Sequence, residues 1–513
     1  MMTGNENAAL YFIDRHAEGA LKDKLVFVES DAGGEKITYS GLKDQTDRMV
    51  GLLRRYGLRQ EDRLALLALD EIAWPVAFWG ALKAGVIPVA LNTLLSAEVY
   101  GVILKDCRPR AMVVSAVLYP TVAPILKDIP SLQTVFVIGG QTLENTENFL
   151  EELSRSPAEP AINVSGDECA FWLYSSGSTG QPKGVRHVHS SLKATADTYG
   201  GQVLGIEETD LVYSVAKLFF AYGLGNAMTF PMSVGATTVL FSGRPTPASA
   251  TEILTNHRPT IFCGVPTLYA AMVAHLQGLE KLPESPLRRC ISAGEALPED
   301  VGKRWADMWN CDILDGVGST EMLHIFLSNS PTDVVYGTSG NAVPGYDLRL
   351  VDEMGLEVTG DAIGELLVRG ASAADGYWNQ RDRSRLTFEG EWTHTGDKYY
   401  RDKSGRYVYC GRTDDMFKVS GIWLSPFEVE QALISHDAVL EAAVVAHRDE
   451  DGLEKPLAHV VLKSGPGDAA TADILKDHVK QKIGIWKYPR WIKFVDELPK
   501  TATGKIQRFK LRD

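Results

Sequence analysis

The sequence predicts an α/β fold, a large body over residues 1–413 built from βαβ units around parallel sheets, followed by a smaller α+β domain over 414–513. Three observations carry this. From residue 24 to about 166, short apolar or β-branched runs alternate with stretches of helical period. Between 345 and 369 the rhythm changes to strand and turn, as in a small antiparallel barrel or sheet. From about 414 the order helix, strand, strand, helix is enough for an independent unit.

Taken in order, 63–69 and 111–115 read as strands buried on both faces, because their apolar residues are continuous rather than alternating. Segments 39–56 and 73–84 have helical spacing. The Pro-containing stretch before 163–166 is a loop, and 168–174 is a strand that delivers the chain into a glycine-rich loop. The rhythm continues through 234–241, 260–265 and 287–292. Segments 347–352 and 364–370 are the strands of the strand-and-turn region. In the last block, 426–435 is a helix, 439–447 and 458–463 are strands, and 472–483 is a helix. No internal repeat and no low-complexity tract is present.

A length of 513 residues exceeds what one hydrophobic core usually serves. With 45% hydrophobic and 23% charged residues the chain falls in the ordinary globular class and outside the disordered and fibrous ones. The net charge of −14 argues against nucleic acid or an anionic membrane as partner. Six cysteines lie scattered at 107, 169, 263, 290, 311 and 410, without a metal-binding pair or the spacing of a secreted framework. They read as thiols of a reducing compartment. The first twenty residues lack the basic-then-apolar order of a signal peptide, and no apolar run approaches the length of a membrane span. The expected location is the cytoplasm.

The glycine-rich loop is the most informative segment. Residues 174–185 read Tyr-Ser-Ser-Gly-Ser-Thr-Gly-Gln-Pro-Lys-Gly-Val. Gly177, Gly180 and Gly184 admit close backbone approach, Ser175, Ser176, Ser178 and Thr179 offer hydroxyl donors, and Lys183 adds a compact positive charge. That combination suits the phosphates of ATP, although the spacing is not that of a Walker loop. A solvated turn between a strand and a helix would explain the glycines but not so many donors in one run.

Four further segments carry related chemistry. Gly318-Ser-Thr-Glu321 sets a hydroxyl beside a carboxylate, so Glu321 can hold Mg²⁺ and Thr320 can contact metal or phosphate. Alone, the string is equally a capped helix start. Asp397 closes Thr395-Gly-Asp and can accept ribose hydroxyls or simply turn the chain. Residues 411–421 join basic and acidic side chains to a glycine turn, in which a solvated interdomain linker is the competing reading. Lys505 follows Thr503-Gly504 near the C-terminus, where a disordered basic tail is the alternative.

The joint occurrence of these five motifs in this order resembles the adenylate-forming superfamily of acyl-CoA synthetases, adenylation domains and luciferases, over almost the whole chain. Segments 216–226 and 315–324 are similar to those of benzoate-CoA ligases. The resemblance implies a large N-terminal domain of two doubly wound sheets plus a small β-barrel, with a mobile C-terminal α+β lid hinged near Asp414. It implies ATP, Mg²⁺ and coenzyme A as cofactors and a small aromatic carboxylic acid as substrate. The acid first becomes an acyl adenylate, then a thioester with release of AMP.

Residue by residue, the resemblance places the β- and γ-phosphates on the loop from Ser175 to Lys183, and the ribose on Asp397 and Arg412. Adenine lies against Gly294, Glu295 and Ala296 and against Asp315, Gly316 and Val317. Where Val317 stands the common pattern has an aromatic residue, so apolar contact replaces stacking. Lys505 bridges the acid and the α-phosphate. After a lid rotation Lys418 replaces it, and Ser420, Gly421, Ile422 and Trp423 meet coenzyme A, with Gly421 lining a narrow tunnel. The Lys505 motif also resembles a target of lysine acetyltransferases. A homodimer is a further expectation.

For the acid, Ala221, Tyr222, Gly223 and Gly225 offer a small, flat, largely apolar space, closed by Ala293, Gly318, His324 and Ile325. Ala221 stands where an α-amino group would want an aspartate, which disfavours amino acids. His324 is either a packing wall or a donor to a ring hydroxyl. Benzoate is the expected substrate. 4-Hydroxybenzoate or another small aromatic or heteroaromatic acid is the alternative, and a stand-alone enzyme loading a carrier protein the more distant one.

Overall fold

The computed structural model describes residues 4–31, 33–140, 143–176, 181–279, 282–419, 422–450, 453–500 and 506–512. Gly177, Ser178, Thr179, Gly180, Ser420, Gly421 and Lys505 lie outside them, and for Ser176, Lys418, Ile422 and Trp423 only the backbone is described.

Two sheets form the body. In the first, Leu25–Glu29, Thr237–Leu240, Leu211–Ser214, Ile261–Gly264, Arg289–Ala293 and Ile313–Gly318 run parallel, and Lys36–Thr38, Ile325–Ser328 and Asn341–Ala342 add antiparallel pairings at the edges. In the second, Cys169–Ser176, Ile87–Ala90, Arg63–Leu67, Ala111–Ser115, Thr134–Ile138 and Glu147–Asn148 are parallel. Their central strands, such as Ala111–Ser115 and Ile261–Gly264, are buried throughout, which is why they read as continuous apolar runs.

Helices Tyr39–Arg55 and Ala73–Ala84 lie between the two sheets. The first begins where the Thr38 hydroxyl accepts from Gly41 N at 3.1 Å, and the second ends at Gly85, whose φ of 71° closes the last turn. Leu64 and Leu66 of one sheet, Val212 and Ile291 of the other, and Phe78 and Trp79 of the intervening helix share a single core. On the outer faces, helices Pro247–Asn256, Pro266–Gln277 and Glu299–Trp309 cover the first sheet, and Ala97–Cys107 and Tyr119–Leu126 cover the second. Each sheet is therefore wound on both faces.

The strand-and-turn region forms a five-stranded antiparallel sheet from Tyr346–Val351, Gly364–Gly370, Phe388–Glu389, Trp392–Arg401 and Tyr407–Arg412. On it His394 lies between two carboxylates, with Nδ1 3.2 Å from Glu365 and Nε2 3.1 Å from Glu389. The hydrogen bond to Glu365 chiefly, against the opposing effect of burial, holds the imidazole above its usual value. A raised folded-state pKa gives stability that is complete below about pH 6.5 and lost as pH rises through the folded value. Thermal melts of wild type and His394→Gln at pH 6 and pH 8 should therefore differ more at the lower pH, by up to about 1 kcal/mol. A gap independent of pH would remove His394 as its source.

Beyond the turn at 413–416 the chain makes a hairpin, Phe417–Val419 with Ile422–Leu424, and then helix Pro426–Ile434. Strands Val439–Arg448, Glu454–Leu462 and Trp491–Phe494 and helix Ala469–Ile483 follow. Leu424, Val429, Leu433, Val444, Val460 and Leu475 pack together in a core separate from that of the body. No helix among the described residues is long and apolar enough to cross a membrane.

Candidate active site

Strand Cys169–Ser176, which precedes the glycine-rich loop, pairs antiparallel with Pro182–Val188, so a strand and not a helix follows the loop. Lys183 pairs with Ser175 in this register. Alternation along the strand puts Lys183, Val185 and His187 on one face. Gly376–Tyr377 pairs with the same strand, Tyr377 opposite Val185, which brings the tyrosine to that face as well.

Against this face stands the turn from Gly318 to Glu321, which belongs to the other sheet. Lys183 Nζ is 2.8 Å from Glu321 Oε1 and donates to the Tyr377 hydroxyl at 3.0 Å, while that hydroxyl donates to Oε1 at 2.7 Å. Burial pushes the Glu321 carboxyl up, but the Lys183 charge and the two hydrogen bonds more than offset it and hold the group below its usual value. His187 Nε2 lies 2.8 Å from the Thr320 carbonyl oxygen, and its ring stacks on Phe171. Burial lowers His187 to about 4, so it is neutral at pH 7 and spends its one proton on Thr320. Ser319 Oγ accepts from Met322 N at 3.1 Å, closing a turn where a helix start was the alternative expectation.

The structure thus brings the predicted Lys183, Thr320 and Glu321 together. It adds His187 and Tyr377, which the sequence reading missed. His187 was traceable in principle, since it lies an even number of residues from Lys183 once 182–188 is recognised as a strand. Tyr377 carried no comparable signal.

The donors fit a nucleotide and its cation. Ser175 Oγ is buried without a partner among the described residues, at the entry to the phosphate hairpin. A lone carboxylate at Glu321 suits Mg²⁺, which takes one or two carboxylates and completes its shell with phosphates and water. Asp315 is buried within Ile313–Gly318, with Oδ2 3.4 Å from Leu297 N and Oδ1 unpartnered among the described residues. Burial raises it to about 8, which keeps it largely protonated at pH 7. Gly316 and Val317 follow on the same strand, and Gly294, with φ of 98°, turns Glu295 and Ala296 away from the end of the neighbouring strand Arg289–Ala293.

Asp397 and Arg412 sit opposite each other in the antiparallel sheet, Arg412 Nη1 donating to Asp397 Oδ1 at 3.0 Å. Gly396 precedes them with φ of 71°, and a Cβ there would stand 2.8 Å from the Arg412 guanidinium. Asp414 is exposed in the turn just beyond, its carbonyl accepting from Arg512.

The expected acid pocket lies around His324, which is 3% exposed and ringed by Tyr199, Tyr222 and Phe230 at 5.3, 5.7 and 4.5 Å between centroids. Burial lowers His324 to about 3, so it is neutral. Nε2 is 3.3 Å from the Tyr222 carbonyl oxygen, which can only accept, so the single ring proton belongs there. Nδ1 then carries a lone pair with no partner among the described residues. Of the two expected roles, donation to a ring hydroxyl has no proton left to use. A neutral His324 in this tautomer offers a neighbour an acceptor and not a donor.

The Tyr222 hydroxyl is anchored on the carbonyls of Gly264 and Ile291 at 3.0 and 3.2 Å. Ala293 and Ile325 are buried, Ala221 is half-buried, and Gly318 is the exposed residue at the bulge facing Ile325. Gly223 and Gly225 owe their identity to packing more than to open space. A Cβ on Gly223 would meet the Lys217 carbonyl oxygen at 2.1 Å, and one on Gly225 would meet the His324 ring at 2.4 Å.

Comparison with known proteins identifies the family. Residues 13–378 match the AMP-binding enzyme family, and 428–505 match the AMP-binding enzyme C-terminal domain. The chain is 53% identical to a benzoate–CoA ligase of Thauera aromatica, over 99% of this chain and 95% of that one. It is 50% identical to a 4-hydroxybenzoate–CoA/benzoate–CoA ligase of Rhodopseudomonas palustris, over 99% and 94%. A benzoate CoA ligase from Burkholderia xenovorans LB400 superposes with a TM-score of 0.90 at 46% identity, covering 99% of this chain and all of that one. The chain therefore belongs to the AMP-binding, adenylate-forming enzymes, the superfamily that its ordered motifs resemble.

Proposed function

We propose that this enzyme is an aryl-CoA ligase that converts benzoate, ATP and coenzyme A to benzoyl-CoA, AMP and pyrophosphate. The observation that carries the reading is the set of aromatic rings packed on His324, a few residues along the chain from the Thr320–Glu321 turn that Lys183 bonds. The full-length similarity to benzoate–CoA ligases supports it.

In the first half-reaction a carboxylate oxygen of the acid attacks the α-phosphorus of ATP and pyrophosphate leaves with the electron pair of the broken P–O bond. The phosphate hairpin with Lys183 holds the leaving group, and Asp397 and Arg412 hold the ribose. Lys505 supplies positive charge between the two reacting anions. Glu321 would hold Mg²⁺, which would supply positive charge to offset that of the phosphates. In the second half-reaction the coenzyme A thiolate, its proton lost to solvent, attacks the acyl carbon and AMP leaves. Residues 414–513 turn about Asp414 between the halves, replacing Lys505 by Lys418 and bringing Ser420, Gly421, Ile422 and Trp423 to the thiol. Acetylation of Lys505 would remove the charge the first half needs. The reaction needs no membrane, and the six free thiols accord with a cytoplasmic setting.

One observation favours a second substrate. The free Nδ1 lone pair of His324 can accept a hydrogen bond from a phenolic ring hydroxyl, which makes 4-hydroxybenzoate the alternative acid. The test is AMP and acyl-CoA formation across benzoate, 2-fluorobenzoate, 4-hydroxybenzoate, 2-furoate, cyclohexanecarboxylate and octanoate. The highest kcat/KM is expected on benzoate, with 4-hydroxybenzoate accepted and octanoate at least about 100-fold poorer, the scale of discrimination available to an apolar pocket. Turnover of octanoate alone would refute the assignment, and AMP release without any thioester would favour a carrier-protein acceptor.

A further inference from the structure

We propose that Tyr377 is a positioning residue for the adenylation half-reaction, fixing the Glu321 carboxylate while Lys183 transfers its pairing from that carboxylate to the incoming phosphates. The inference rests on the nucleotide chemistry of the proposed function but not on the identity of the acid.

The geometry is specific to one oxygen. Lys183 Nζ and the Tyr377 hydroxyl both bond Glu321 Oε1, at 2.8 and 2.7 Å, and they bond each other at 3.0 Å. All three side chains are largely withdrawn from solvent, Lys183 and Glu321 being 16% and 13% exposed and Tyr377 buried. The Lys183 ammonium also lies 4.6 Å from the centroid of the Tyr377 ring. Lys183 thus spends two of its three N–H donors inside this cluster, and its charge is shared with Glu321 until a polyphosphate competes for it. A polyphosphate carries more charge than one carboxylate, so the lysine follows it.

What remains on Glu321 after that exchange is Tyr377. Its hydroxyl keeps the carboxylate turned with Oε1 engaged and Oε2 outside the pair of bonds. The same segment grips the Glu321 backbone, Ala374 N donating to the Glu321 carbonyl oxygen at 2.8 Å. Tyr377 is itself fixed, its N–H donating to Ser384 Oγ at 3.0 Å and its ring packing on Phe388 with centroids 5.4 Å apart. A carboxylate left without this hold would pay rotational freedom each time it engaged a cation, and the cost would fall on metal-assisted nucleotide binding alone.

The test is calorimetric titration of wild type and Tyr377→Phe with ATP, in excess Mg²⁺ and in excess chelator. The variant is expected to bind ATP in Mg²⁺ about 10- to 100-fold more weakly, as for loss of one hydrogen bond to a charged group. Its affinity without Mg²⁺ should change by less than about 3-fold, and thioester formation from presynthesised benzoyl-AMP should be retained. Adding Tyr377→Phe to Glu321→Gln should cost little more than Glu321→Gln alone, because the first acts through the second. Unchanged Mg²⁺-ATP binding, or equal losses with and without Mg²⁺, would overturn the proposal. So would fully additive losses in the double variant. Phe388→Leu loosens the same ring without touching the hydroxyl, and a matching loss there would assign the effect to packing. Because the titrations use neither acid nor coenzyme A, a wild type that binds Mg²⁺-ATP yet activates none of the acids would sink the substrate reading and leave this one standing.

Discussion

Lys505→Ala is expected to lose acyl-adenylate formation by roughly 100- to 1000-fold in kcat, while presynthesised benzoyl-AMP is still converted to the thioester within a few-fold of the wild-type rate. The asymmetry follows from charge. In the first half-reaction two anions, the carboxylate and the α-phosphate, approach each other, and a positive charge between them stabilises the transition state more than the separated reactants. In the second half-reaction the acyl adenylate carries a single phosphate and its electrophilic carbon is already activated, so the same lysine has no comparable task. Pyrophosphate release with benzoate and ATP measures the first half, and thioester appearance from the adenylate measures the second. Equal loss of both would rule out one lid domain serving the two steps with different faces.

Lys83→Met is expected to destabilise the body by about 3–5 kcal/mol, the scale for breaking a buried charge cluster from one side. Lys83 is fully buried, with Nζ 2.7 Å from Asp14 and 2.6 Å from Asp47, and Lys43 joins Asp47 at 2.8 Å. Burial pushes the Asp14 carboxyl up against the pull of Lys83, as expected where desolvation of a charge is only just matched by its partner. Methionine keeps the length of the side chain but leaves two buried carboxylates with, among the described residues, Lys43 as their remaining cation. Asp14, Asp47 and Lys83 come from three different helical segments, so the cluster ties together the layer between the sheets. Urea unfolding with a fluorescence probe of the body would read the loss. A change below about 1 kcal/mol would mean that the carboxylates simply take up protons and that the cluster contributes register rather than stability.

How much of this was legible in the sequence depends on how far each interaction reaches along the chain. The parallel strands were readable because burial on both faces leaves an uninterrupted apolar run, as at 111–115, and helix 73–84 because of its helical spacing. The glycine-rich loop stood out because positive charge, hydroxyls and glycines concentrate in a dozen residues. The partner strand after that loop was not, since Pro182-Lys-Gly184 looks like turn material until the pairing with 169–176 is known. The Lys83 cluster joins residues separated by 36 and 69 positions, and Tyr377 meets Lys183 across 194. Neither has a local signature. The role of His324 was open because a sequence does not show which ring nitrogen holds the proton. The depth of burial and the carbonyl acceptor at Tyr222 favour a neutral ring with its proton on Nε2.

The phosphate hairpin and the Thr320–Glu321 turn come from different sheets, and that division has a thermodynamic consequence. On the proposed reading neither sheet alone owns the nucleotide site, so every contact ATP makes with both is also a contact between them. Bound nucleotide then acts as a removable strut across the middle of the body. By mass action, occupancy at a hundred times the dissociation constant adds about 2.7 kcal/mol to the cohesion of the two halves, and each turnover that discharges pyrophosphate takes part of that reinforcement away.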